Sequence, residues 1–137
     1  MRGIAGSAAR PLRDTSEETS AIAPRLKSEI EASALRRRAQ GGGAFATVLR
    51  RGDDSAGALY VVVRTLDGDA RLFSPIRDMS GARAWMATPA LPEREIDARC
   101  AKLFDRDPDI WVVEVEDREG RHFLIEPVEW PDEGPGD

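Results

Sequence analysis

The run Leu59-Tyr60-Val61-Val62-Val63 constrains the fold more than any other feature of the sequence. Valine-rich residues with no polar alternation make a strand that lies inside a sheet rather than at its margin. Asp67-Gly68 follows at once and is a two-residue hairpin signal. A strand over 57–65 therefore returns as one over 69–74. A strand over 44–50 precedes them, across the turn-rich Gly52-Asp53-Asp54-Ser55, and residues 83–87 around Trp85 make a fourth. Ile110 to Glu116 is a fifth strand, with Trp111, Val113 and Val115 on one face and Glu114 and Glu116 on the other. Asp117-Arg118-Glu119-Gly120 then fits a turn, which predicts a hairpin back through a last strand at 121–125.

Two amphipathic segments frame these strands. Leu26, Ile30 and Ala34 recur at helical spacing, with Leu35 alongside, and predict a helix over 26–39. Gly41-Gly42-Gly43 stops it. The second helix opens at Pro92, with Glu93 and Glu95 at its positive end. Ile96, Cys100, Leu103 and Phe104 form its buried face. Asp107-Pro108 ends it, because proline disfavours helix at the residue before it. The expected architecture is α+β: a two-layer sandwich of order α-β-β-β-β-α-β-β, its sheet mostly antiparallel and both helices on one face.

Composition bounds the rest. The chain has 137 residues, 33% of them charged, and a net charge of −5. No window approaches the roughly 18 consecutive apolar residues of a membrane span. One cysteine excludes a disulfide scaffold or a cysteine-rich zinc site, and one histidine excludes every motif that needs two. The expected product is a cytoplasmic domain over 24–126. A disordered extension over 1–23 precedes it, and an acidic, Pro/Gly-rich flexible tail over 127–137 follows it.

The candidate sites are few. Arg36, Arg37 and Arg38 end the first helix, and Arg50 and Arg51 end the first strand. Together they form a candidate basic patch for an acidic partner or for phosphates. Asp107, Asp109, Glu114 and His122 are the weaker candidates, for acid–base work. Carboxylates spaced two apart at Asp105, Asp107 and Asp109 suggest a calcium loop, but Ile110 stands where such a loop demands glycine. Cys100 reads as a small core residue. The Gly41–Gly43 run follows a helix, whereas a phosphate loop precedes one. No metal, cofactor or catalytic residue is assigned.

Several stretches carry a resemblance: Arg25-Leu26-Lys27-Ser28-Glu29-Ile30, the run from Gly43 to Asp53, Ala56-Gly57-Ala58, and the run from Asp107 to Arg121. In that order they resemble the alphaproteobacterial domain-of-unknown-function family 1491, over about residues 25–125. The resemblance implies a small cytoplasmic bacterial protein and carries over no catalytic residue. The chain departs from the family pattern at Glu31, where Trp is usual, and at Arg36, where Leu is usual.

The leading reading is a non-enzymatic protein-binding module. One alternative is a nucleic-acid or anion binder using the arginines, which the acidic net charge disfavours. A second is an acid–base enzyme or hydrolase. No membrane partner is expected. An edge strand at 83–87 or 121–125 offers a pairing edge for a homodimer.

Overall fold

The structure, a computed structural model, describes residues 27–132. The extension over 1–23, the helix start at Leu26 and the end of the tail at 133–137 lie outside the described residues. Helix α1 spans Ser28–Gly41, strands β1, β2, β3 and β4 span Phe45–Arg50, Leu59–Arg64, Asp69–Arg77 and Arg83–Ala87, and β5 is the short Leu91–Pro92. Helix α2 covers Glu93–Arg106, β6 covers Trp111–Glu116, and β7 is Val128–Glu129. The protein is α+β, with one sheet ordered β1-β6-β2-β3-β4-β7 and β5 attached to β3. Pairing is antiparallel except at β2–β6 and β4–β7.

The helices do not share a face. Ala32, Leu35 and Ala39 of α1 pack on Val61, Val63, Phe73, Trp85, Trp111, Val113 and Val115. Ile96 of α2 packs on Val62, Leu72, Ile110 and Val112, with Cys100, Leu103 and Phe104 beside it. Successive strand residues point to opposite faces, so α1 covers one side of β2 and β6 and α2 covers the other. The expected two-layer sandwich is thus three layers deep at its centre. The unbroken run Leu59–Val63 already carries that signal, because apolar residues at odd and even positions both need cover.

The hairpin over 110–125 does not form. Strand β6 lies between β1 and β2, and residues 121–125 are irregular, with Phe123 in the left-handed region at φ 62°. The Asp117–Gly120 turn does form: the Gly120 N–H donates to the Asp117 carbonyl at 2.9 Å, and Gly120 has φ 74°. The chain beyond it leads to β7, which pairs with β4 and extends the sheet past residue 126. Neither 83–87 nor 121–125 is therefore an edge strand; β1 and β7 are the edges.

A backbone clamp fixes the entry to β6. The Asp109 carbonyl accepts the Asp53 N–H at 2.9 Å, and the Trp111 indole N–H donates to the Asp53 carbonyl at 2.8 Å. The Ser28 hydroxyl donates to the Gly57 carbonyl. At Gly52 and Gly57 a Cβ would fall well inside contact distance of the Asp109 carbonyl oxygen, so only glycine lets the two backbones meet. Gly41 has nothing within 4 Å of its Cβ position. Gly52→Ala or Gly57→Ala should therefore cost about 3 kcal/mol of stability. Gly41→Ala, at a helix end, should leave stability within about 1 kcal/mol. Urea unfolding of the three variants checks this, and equal costs at all three positions would refute the clamp.

Candidate functional site

The five candidate arginines separate. Arg37 is exposed on α1, and the Arg38 Nε–H donates to the Phe123 carbonyl at 2.8 Å. Arg50 stacks on Phe104 of α2, on the opposite face of the sheet from α1. Arg51 lies over Trp111 and 3.2 Å from Glu29, in the first turn of α1, whereas Arg36, Arg37 and Arg38 sit near that helix's far end. Three of these side chains thus brace neighbouring elements, and the five make no single patch.

The acid–base candidates are likewise spread out. Asp107 accepts the Asp109 N–H at 3.1 Å and forms the turn after α2. Glu114 pairs with Arg64 on the α2 face. His122 lies on the α1 face, 5.3 Å from Phe73 and 5.8 Å from Trp130 between ring centres. Its Nδ1 accepts the Leu124 N–H at 2.9 Å. Burial holds its pKa below 6.5. A cleft of about 70 Å³ between α1 and residues 124–126 contains Glu31 and Glu126, and one oxygen of each carboxylate has a partner, while Glu31 Oε1 is buried without one among the described residues. Glu31 pairs with Arg83, and Glu126 accepts the Trp85 indole N–H at 2.9 Å. Among the described residues no group of His, Cys, Asp and Glu could hold a metal ion, and no helix is long and apolar enough to cross a membrane.

Helix α2 organises what remains. One flank is neutralised: Arg64 reaches Asp97 at 2.9 Å, Glu93 at 3.6 Å and Glu114. Burial opposes the Arg64 charge, but Asp97 and Glu114 outweigh it and raise the guanidinium pKa. Cys100 lies on this flank too, and burial pushes its thiol pKa up, which keeps it protonated and unreactive. The other flank carries Arg99, Lys102 and Arg106. None of these makes an ion pair or side-chain hydrogen bond among the described residues. They border a groove of about 430 Å³ whose floor is Leu72, Ser74, Met86 and Ala87. Met86 is 50% exposed there. Attention to arginines adjacent in sequence misses this site. Its signal is the spacing of Arg99, Lys102 and Arg106, which puts three cations along one flank of the helix.

The family model for a protein of unknown function, DUF1491, matches residues 26–125. The chain belongs to the DUF1491 family. A crystal structure of a DUF1491 protein from Caulobacter crescentus is 51% identical, with a TM-score of 0.72, and covers 77% of this chain and 100% of that one. An Agrobacterium tumefaciens protein, Atu0922, solved in solution, is 34% identical with a TM-score of 0.65, covering 74% of this chain and 94% of that one. No curated protein matches the chain. The DUF1491 match spans the clamp, both helices and β6.

The His122 geometry fixes a pH dependence. Its pKa is lower folded than unfolded, so the unfolded chain binds the proton more readily. The stability it contributes is complete above the unfolded value of about 6.5 and is lost as pH falls from there through the lower folded value. Thermal melts from about pH 7.5 to about pH 5 should show a falling Tm, and His122→Gln should flatten that fall. An unchanged slope in the variant would refute the assignment.

Proposed function

We propose that the protein is a non-enzymatic docking module that holds a protein partner in the groove between α2 and β4. One observation carries the reading. An apolar floor with a half-exposed Met86 lies beside three cations that make no ion pair or side-chain hydrogen bond among the described residues. A row of such cations beside exposed apolar area fits a binding site better than a solvated flank. The dispersal of Asp107, Asp109, Glu114 and His122 weighs against acid–base chemistry. The separation of the five arginines weighs against a phosphate-tracking patch.

The test uses tagged full-length protein purified from its native cells after nuclease treatment. A stoichiometric protein should co-purify with the wild type and be lost with Met86→Asp, while Arg118→Glu in the Asp117–Gly120 turn should retain it. Met86 is half exposed, so the aspartate should fold, which circular dichroism checks. Capture unaffected by Met86→Asp would refute the groove, and material that vanishes with nuclease would favour nucleic acid.

A further inference from the structure

We infer that the groove takes an acidic amphipathic helix, an inference that rests on the docking reading above. Two features of the site select this occupant. The first is the state of the strands beneath it. At Leu72 the backbone pairs with Val62 of β2 on one side and with Thr88 on the other, and at Met86 it pairs with β3 and β7. At these two floor residues no main-chain edge is free for an added strand. It must satisfy its own backbone hydrogen bonds, which a helix does. The second is charge. Arg99, Lys102 and Arg106 follow one another along α2 at steps of about 4.5 and 6 Å, given a rise of about 1.5 Å per residue. A helix lying alongside presents carboxylates at i, i+3 and i+7 with the same pitch. Its apolar residues, one position round, then reach Met86 and the edge of Leu72.

The two ends of the site play different parts. Met86 is unbranched and polarisable and adapts to the apolar residue it meets. The three cations set orientation, because they all come from α2 and so lie on one side of the floor.

The probe is a synthetic amphipathic helix about four turns long, with Leu along one stripe and Glu at i, i+3 and i+7 beside it. Its binding to the full chain is read by fluorescence anisotropy. Saturable binding is expected, weakening as salt rises from about 0.05 to about 0.5 M. The variant Arg99→Glu/Lys102→Glu/Arg106→Glu should lose about tenfold or more, and a probe with Lys in place of Glu should recover binding to that variant. The inference is overturned by the absence of saturable binding, by equal affinity for the Glu and Lys probes, or by a single-stranded oligonucleotide that displaces the Glu probe at lower concentration. Partner capture separates the two claims. If Met86→Asp loses the native partner while the charge reversal keeps it, the docking site stands and the acidic helix falls. If neither variant changes capture, both fall.

Discussion

The fold depends on one backbone junction, the approach of the 52–57 loop to the start of β6. Strand β6 enters the sheet late in the chain yet sits between β1 and β2, so its register must be set by groups far from it in sequence. The Asp109 carbonyl, the Trp111 main-chain N–H and the Trp111 indole N–H supply them, bonded to Asp53, Ala58 and Asp53 respectively. The Ser28 N–H adds the first turn of α1 through the Asp54 carbonyl at 3.2 Å. Buried backbone groups at such a junction need partners, and here they partner one another. A shift of β6 by one residue would turn Glu114 and Glu116 towards α1 and Val113 and Val115 away from it. The clamp prevents that shift, and both cores inherit their alignment from it.

The residues that carry the family resemblance are therefore folding residues first. Gly52, Asp53, Gly57, Asp109 and Trp111 all belong to the clamp, and Asp117 secures the far end of β6. The Asp117 side chain is 6% exposed and accepts the Arg121 N–H at 2.8 Å and its guanidinium at 2.7 Å. Arg121 also donates to the Gly42 carbonyl at 3.1 Å, tying the turn after β6 to the end of α1. A sequence signature made of such residues identifies an architecture. It says little about chemistry, which explains why a specific resemblance transfers no active site.

Local pattern made much of the fold legible. The β2–β3 hairpin, the fourth strand at 83–87, the Pro92 start of α2 and the shared face of Trp111, Val113 and Val115 all follow from spacing and turn chemistry. What failed was non-local. The hairpin expected over 110–125 reads well because Asp117 to Gly120 is a true turn, but pairing of β6 with both β1 and β2 leaves residues 121–125 no place beside it. The separation of the helices had a signal in Leu59–Val63 that outweighs the simpler two-layer pattern. The arginine patch failed for a related reason. Adjacency in sequence put Arg50 beside Arg51, yet Arg50 stacks on Phe104 of α2 and Arg51 on Trp111.

The two flanks of α2 differ in how their charges are used. On the inner flank, Glu93 and Asp97 meet Arg64, whose side chain is only 13% exposed, and a buried cation left unpaired there would be costly. The carboxylates on that flank are thus committed to the fold. The outer flank carries Arg99, Lys102 and Arg106, with Glu95 one turn before them, against an overall charge of −5. At physiological salt the screening length is about 8 Å, comparable to the length of that row, so an approaching acidic segment feels the row rather than the net charge. Placing the row beside the apolar floor brings charge attraction and apolar burial together in one groove.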